Sequence, residues 1–140
     1  MKFFLDENET EAILPPLRTV FFDHEFVPAS SLGTVGLDDQ DLFPAVAEGG
    51  FDALITRDRN QLANPAERHS LHENGLHWIG HREPGCRGLL LIASITASYV
   101  AALPYIIEAM TSATEPTAFH VKNLGTQPGQ RYRAHPLKQR

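Results

Sequence analysis

Residues 36–60 read GLDDQDLFPAVAEGGFDALITRDRN, and this stretch decides the fold. Its first half starts with acids, continues with apolar residues at helical spacing and closes on two glycines, which predicts a short helix with Asp38 or Asp39 at its N-cap. Its second half, ALITRDRN, is a β-prone apolar run that passes directly into polar residues, and it predicts a buried strand ahead of Asp58. A helix that leads into a buried strand is the repeating unit of an α/β protein.

The start of the chain carries a similar pattern. KFFLDENE, over residues 2–9, is an apolar run that stops abruptly at Asp6, which predicts a buried strand with an acid at its carboxyl end. The remaining patterns predict strands over residues 24–29, 76–80 and 117–122 and helices over residues 9–20, 65–73 and 89–110. Strands that alternate with helices predict a three-layer α/β/α sandwich around a mainly parallel sheet.

Composition excludes several classes of protein. The chain has 140 residues, of which 42% are hydrophobic and 21% charged, and these values indicate one globular domain rather than a disordered chain. No uninterrupted apolar run reaches the roughly 20 residues of a membrane span, and acids near the N-terminus stand where a signal peptide needs apolar residues, so we expect a cytoplasmic protein. The single cysteine, Cys86, excludes an intrachain disulfide.

Charge is distributed unevenly along the chain. The net charge is −5, but all 17 acids lie before residue 117, whereas five of the 12 bases lie after it. Residues 125–140 are rich in Gly, Pro and Gln and show no hydrophobic period, so we expect residues 1–124 to form the domain and residues 125–140 a flexible basic tail. A basic tail beside an acidic body can hold nucleic acid near metal-binding carboxylates, although many such tails only aid solubility.

The acids are expected to converge. Ligand sites of parallel sheets form at the carboxyl ends of the strands, which places Asp6 and Asp58 together if their strands are neighbours, with Asp39 or Asp41 joining them from a helix start. Carboxylates that meet in this way repel one another unless a cation neutralises them. Oxygen ligands suit Mg²⁺ or Mn²⁺, and such an ion can promote phosphodiester hydrolysis. Thr56 is expected to lie on the same strand face as Asp58 and to donate a hydrogen bond to Asp6.

Two segments, KFFLDENE and GLDDQDLFPAVAEGGFDALITRDRN, in this order and at this separation, closely resemble the PIN-like domain family. The resemblance is to its short, single-domain bacterial members, which are related to the toxin ribonucleases of type II toxin–antitoxin modules. It covers about the first 62 residues well and the rest only in the order of elements. The resemblance implies a PIN-like fold and a metal-dependent endoribonuclease with Mg²⁺ or Mn²⁺ as cofactor.

The resemblance also implies roles for individual residues. Asp6, Asp39 and Asp58 would be catalytic and hold the metal, with Asp41 retained as the second candidate for the acid on the helix. The family's fourth acid would fall at Asn60, a neutral side chain that weakens metal affinity. The predicted supporting residues are Glu7, Asn8, Thr56 and Asn60, and the predicted RNA contacts are Arg57, Arg59, Arg131, Arg133 and Lys138.

The first two expected partners follow from the same resemblance. The substrate would be single-stranded or looped RNA, whose phosphodiesters are accessible to a shallow acidic cleft. A cognate antitoxin protein is a second expected partner. Residues 89–110 form the longest apolar segment, more than one face against the sheet can bury, so a second copy of the chain is a third. No membrane partner is expected.

Three other interpretations remain open at this point. Asn60 is compatible with a PIN-like scaffold that binds a partner without catalysis. Asp6, Asp58 and Lys122 fit the outline of a phosphoacceptor receiver domain, although Asn123 stands where receivers place a proline. A zinc site is the third alternative, and it would use His69, His72, His77 and His81.

Overall fold

The computed structural model describes residues 1–138; Gln139 and Arg140, the last residues of the predicted tail, lie outside the described residues. The described part contains one five-stranded sheet in which all neighbouring strands are parallel, in the order β2-β1-β3-β4-β5. The strands are β1 (Lys2–Leu5), β2 (Glu25–Pro28), β3 (Ala53–Thr56), β4 (His77–His81) and β5 (Ala118–Val121). The predicted α/β class is confirmed, and the sheet is wholly rather than mainly parallel.

The helices agree with the sequence pattern except at one place. They are α1 (Leu14–Val20), α2 (Asp39–Glu48), α3 (Asn60–Ala63), α4 (Pro65–Glu73) and α5 (Gly88–Ser112), with short 3₁₀ turns at Glu11–Ile13, Ala29–Ser31 and Pro128–Gln130. Pro15 and Pro16 lie in the first turn of α1, where a helix needs no backbone amide donors. The α3 turn was not predicted, because a segment of four residues is too short to show a helical period.

Alternating side chains of the strands divide the core into two layers. Phe3 and Leu5 of β1 pack in the cluster that contains Ile95 and Tyr99 of α5, whereas Phe4 packs on the opposite face. The second cluster is formed with α2 and α4 and includes Phe43, Leu54, Leu71 and Trp78. Strands buried on both faces read as continuous apolar runs, which explains KFFL and ALIT.

The long helix α5 is only partly buried. It packs on the sheet through Ile95, Tyr99 and Leu103, while Leu89 and Tyr105 are 84% and 76% exposed. Its most apolar window has a mean hydropathy of 1.9 and is 33% buried, so by length and composition alone α5 could cross a membrane. Ser, Thr and Tyr residues interrupt the apolar run of α5 but lower its mean hydropathy little, and the expectation that the chain does not cross a membrane stays a prediction. The core helix of a globular domain also passes this test.

The chain after β5 continues along the α5 side of the domain. The Leu124 amide donates to the Ser98 hydroxyl at 3.2 Å, and the Asn123 side chain donates to the Arg82 carbonyl. From Gln127 to Lys138 the residues are exposed. The domain boundary at residue 124 and the flexibility of the tail stay predictions.

Candidate active site

The candidate site lies at the carboxyl ends of the two central strands. β1 and β3 are neighbours, with Leu5 opposite Ile55, and the Asp6 amide continues the ladder by donating to the Ile55 carbonyl at 2.9 Å. Asp6 therefore follows β1, and Asp58 follows β3, at the same edge of the sheet, as the sequence predicted.

Asp6 is held by neutral donors. It is 4% exposed, and its Oδ2 accepts hydrogen bonds from the Thr56 hydroxyl at 2.8 Å, from Gln61 Nε2 at 3.3 Å and from Asn8 Nδ2 at 3.4 Å. Its Oδ1 accepts from the Glu7 amide at 2.9 Å. Burial raises the pKa of Asp6, and these hydrogen bonds oppose the rise. The predicted Thr56–Asp6 hydrogen bond is present.

Gln61 joins two of the predicted acids, and no pattern in the sequence indicated this role. Its side chain is fully buried, and Nε2 donates to Asp39 Oδ1 at 3.1 Å as well as to Asp6 Oδ2. Its Oε1 accepts from the indole Nε1 of Trp78 at 3.2 Å. Because an indole only donates, this bond fixes the amide with its NH₂ group toward the carboxylates.

Asp39 is the helix-borne acid that faces the site. Asp38 is the N-cap of α2 and accepts from the Asp41 amide at 3.0 Å, which leaves Asp39 as the first helical residue. Burial raises the pKa of Asp39 to about 6; the charges of Glu67, Asp6 and Asp58 add to the rise, and the Gln61 hydrogen bond opposes it. Asp41, the second candidate, is exposed.

Glu67 is an acid of the site that sequence reasoning missed. It lies on α4 and is half-buried, and its Oε2 is a buried atom with no hydrogen-bond partner among residues 1–138. After burial, its charge is the largest influence that raises the pKa of Asp39. The only signal in the sequence was an acid in the first turn of a surface helix, which is a common feature of helices.

Asp58 and Asn60 form the open side of the site. The Asp58 amide donates to the Thr56 hydroxyl and its Oδ1 accepts from the Asn60 amide, both at 3.0 Å. The two residues line an open depression of about 480 Å³ together with Asn8, Arg57 and Glu83. Asn60 is exposed and begins α3.

A second buried acid, Glu9, lies three residues beyond Asp6. Its Oε2 is 2.8 Å from the Tyr99 hydroxyl and 3.0 Å from His81 Nε2, and its Oε1 is 3.4 Å from Arg57 Nε. His81 Nδ1 lies 2.9 Å from the Arg82 carbonyl, so both ring nitrogens are in contact with oxygen atoms. Burial, and then the adjacent Glu9, raise the pKa of Tyr99 well above its usual value.

This second cluster uses two residues to which the sequence analysis gave other roles. Arg57, a predicted RNA contact, donates from Nε to the Asn8 carbonyl at 2.9 Å and pairs with Glu83 at 3.7 Å. His81, a predicted zinc ligand, contacts Glu9. The other three histidines are apart from it: His69 and His72 are exposed on α4, and His77 accepts from the Thr117 amide. The structure does not form the zinc site.

The other predicted site residues lie farther out. Glu7 Oε2 accepts from the Gly36 amide at 3.1 Å and so ties the loop before α2 to the site. Arg59 is exposed beside Asn60. Arg131, Arg133 and Lys138 are exposed, and within the described residues their side chains make no hydrogen bond or ion pair to the site.

The donor set fits a divalent cation in chemistry. Asp6, Asp39, Asp58 and Glu67 offer oxygen ligands from four elements, and a cation would relieve the repulsion that adds to the effect of burial on the pKa of Asp39. Across residues 1–138, no three His, Cys, Asp or Glu side chains lie close enough together to hold a metal ion. Mg²⁺ needs only one or two direct carboxylates and keeps several waters, so the residues present suit it.

The comparisons with known proteins support one family. A family model described as a PIN like domain matches residues 1–81. The matched segment contains every acid of the candidate site as well as Gln61, and it ends at His81, before α5. Neither the curated proteins nor the solved structures give a match.

Proposed function

This chain belongs to the PIN-like domain family, and from that premise we propose that it is a metal-dependent ribonuclease that hydrolyses RNA phosphodiesters. Members of the family are commonly nucleases and typically depend on a metal. The observation that carries the proposal is the convergence of Asp6, Asp39, Asp58 and Glu67 at one sheet edge, where burial and then the neighbouring negative charges raise the pKa of Asp39 to about 6.

In this proposal one or two of Asp6, Asp39 and Asp58 bind the cation directly and the rest act through its water ligands, while Glu67 adds a fourth negative charge. When bound, Mg²⁺ or Mn²⁺ would neutralise the phosphodiester and acidify a water molecule. The protein's own residues set the geometry: Thr56 fixes the carboxylate of Asp6, and Gln61 orients Asp6 relative to Asp39. The backbone amide of Asn60 donates a hydrogen bond that positions the Asp58 carboxylate.

A second candidate function is a binding module without catalysis. Two observations favour it: Asn60 is neutral where the family pattern has an acid, and the Gln61 amide already bridges Asp6 and Asp39. Both functions share the same fold, so only an activity measurement separates them. The family match gives no support to the receiver-like alternative.

The decisive experiment measures cleavage of a mixed pool of structured RNAs with Mg²⁺ or Mn²⁺, next to an EDTA control. We expect cutting by the wild-type protein, and a loss of at least a hundredfold in Asp6→Asn, Asp39→Asn and Asp58→Asn, as for groups that act in the transition state. Asp41→Asn is the matched control, because Asp41 lies on the same helix but is exposed; it should retain activity. If the protein neither cuts RNA nor binds metal by calorimetry, the nuclease proposal is rejected and the binding module without catalysis is favoured.

The biological setting is proposed on the same basis. We propose that the protein is the toxin of a toxin–antitoxin pair, acts in the cytoplasm and pairs with an antitoxin protein. We also propose that two copies associate through α5, whose Leu89, Leu90 and Tyr105 are exposed apolar side chains. Sedimentation of the purified protein at increasing concentration tests the self-association, and a monomer at all concentrations would contradict it.

A further inference from the structure

A groove separate from the acidic depression lies on the side of the sheet that carries α4. It has a volume of about 540 Å³ and runs between α3 and α4 on one side and the edge strand β5 on the other. We call it the basic groove, and the residues that define it are Arg59, Asn60, Leu62, Arg68, Ala118 and His120. A second hollow of about 370 Å³ shares Leu62, Arg68 and Ala118 and extends it toward Trp78.

The basic groove carries positive charge that the fold does not use. Arg59 and Arg68 are exposed, and neither guanidinium makes a hydrogen bond or ion pair with another residue of the described part. Arg18 and Arg57, in contrast, are bound to backbone carbonyls. None of the described residues that line the 540 Å³ groove is acidic. Two unpaired arginines in an acidic body form a local site for an anion.

The basic groove leads to the acids. Asn60 lines both this groove and the depression that contains Asp58, and its amide donates to Asp58 Oδ1 at 3.0 Å. A chain of phosphates lying along Arg68 and Arg59 would therefore arrive at the carboxylates.

The wall formed by β5 offers a surface for a base. His120 is exposed, and its ring lies 5.2 Å from the Trp78 ring at an interplanar angle of 51°. Leu62 and Ala118 add apolar surface beside it. Unpaired bases stack on aromatic and histidine side chains, whereas the bases of a duplex are not available for such contacts.

We propose that the basic groove binds the single-stranded RNA segment next to the phosphodiester that is cut, with Arg59 and Arg68 on phosphates and His120 against a base. This inference rests on the proposed ribonuclease function, because it identifies how that site takes its substrate. It adds Arg68 and His120 to the predicted RNA contacts. It also places the main RNA-binding surface on the folded domain rather than on the tail residues Arg131 and Arg133.

The test measures binding of a short labelled oligouridylate to the full chain by fluorescence anisotropy, in EDTA so that hydrolysis does not interfere. Arg59→Gln and Arg68→Gln should each weaken binding several-fold. Each should also reduce the magnitude of the negative slope of log K against log salt by about 0.7, the value for one phosphate contact on a single strand. His120→Ala should weaken binding roughly tenfold and leave the slope unchanged.

Arg87→Gln is the matched control. Arg87 is also exposed, and its substitution removes the same charge. It precedes α5, however, which packs on the opposite face of the sheet. It should bind RNA like the wild type. Wild-type protein that does not bind the oligouridylate, or Arg68→Gln that behaves like Arg87→Gln, would overturn the proposal.

Failure of the groove proposal and failure of the nuclease proposal give different experimental results. Binding that depends on Arg68, in a protein that does not cut RNA with Mg²⁺ or Mn²⁺, would support the groove and reject the nuclease. Cutting that depends on Asp58, with Arg68→Gln equal to Arg87→Gln in binding and in rate, would support the nuclease and reject the groove.

Discussion

Two buried acids three residues apart, Asp6 and Glu9, have opposite surroundings. Each is 4% exposed, and each accepts hydrogen bonds from several elements. Glu9 has the cationic Arg57 and the doubly hydrogen-bonded His81 beside it. Asp6 has only neutral donors, and one of them, the Gln61 side chain, also contacts a second carboxylate, that of Asp39. The Glu9 cluster is electrostatically complete, whereas the Asp6 cluster has an excess of negative charge that a cation or a proton must relieve.

The largest effect on stability is expected in the Glu9 cluster. Glu9→Gln leaves His81 and Arg57 without their carboxylate, and breaking a buried ion pair in this way should lower the free energy of unfolding by about 3 kcal/mol. Urea denaturation measures the loss. Glu11→Gln is the control, because Glu11 is exposed and should change stability by less than about 0.5 kcal/mol. Equal stabilities of Glu9→Gln and Glu11→Gln would show that Glu9 does not hold the elements together.

A smaller effect is expected at the residue that joins the acids. Gln61→Met removes the donor to Asp6 and Asp39 and leaves the Trp78 indole without its acceptor, which should lower stability by about 2 kcal/mol. It should also move the pKa of Asp39 above its value of about 6, because the Gln61 hydrogen bond opposes the rise. Unfolding in urea and an NMR titration of the Asp39 carboxyl measure the two effects. Gln40→Met, at an exposed position of α2, should change neither.

The smallest effect concerns the excess charge itself. The pKa of Asp39 is raised from 3.8 to about 6, so the folded protein holds this proton more tightly than the unfolded chain does. The associated stability is full below pH 3.8 and is lost as the pH rises through about 6. Asp39→Asn has no such loss and should become more stable relative to the wild type over this range.

Urea midpoints of wild type and Asp39→Asn across this pH range measure that difference. Asp41→Asn should track the wild type, because Asp41 is exposed. Added Mg²⁺ should stabilise the wild type at neutral pH and leave Asp39→Asn nearly unchanged, since a ligand stabilises only the state that binds it. A constant difference at every pH would contradict the view that Asp39 carries unrelieved charge.

The parts of the site that were predicted from the sequence are those that follow from local pattern. The apolar runs KFFL and ALIT predicted two buried parallel strands, and the rule for carboxyl ends placed Asp6 and Asp58 together on the condition, met in the structure, that these strands are neighbours. Asp38 and Asp39 followed from helix capping, which depends only on near neighbours. The order of the helices and strands, apart from α3, was predicted for the same reason.

The remaining parts depend on contacts between distant residues. Gln61 reaches Asp6 across 55 positions and Glu9 reaches Tyr99 across 90, and no local period marks such partners. Glu67 looked like an ordinary helix-start acid, because what distinguishes it is the field of the other carboxylates. A single sequence identifies polar side chains at a sheet edge, but tertiary packing decides which of them are neutralised.

Trp78 gives the site an optical consequence. It is the chain's single tryptophan, and its indole is bound to the same amide that contacts Asp6 and Asp39. Anything that draws those carboxylates away from Gln61 alters the environment of the one indole fluorophore. The emission of the unlabelled protein should therefore report events at the carboxylates directly, without a dye, an introduced probe or a substrate.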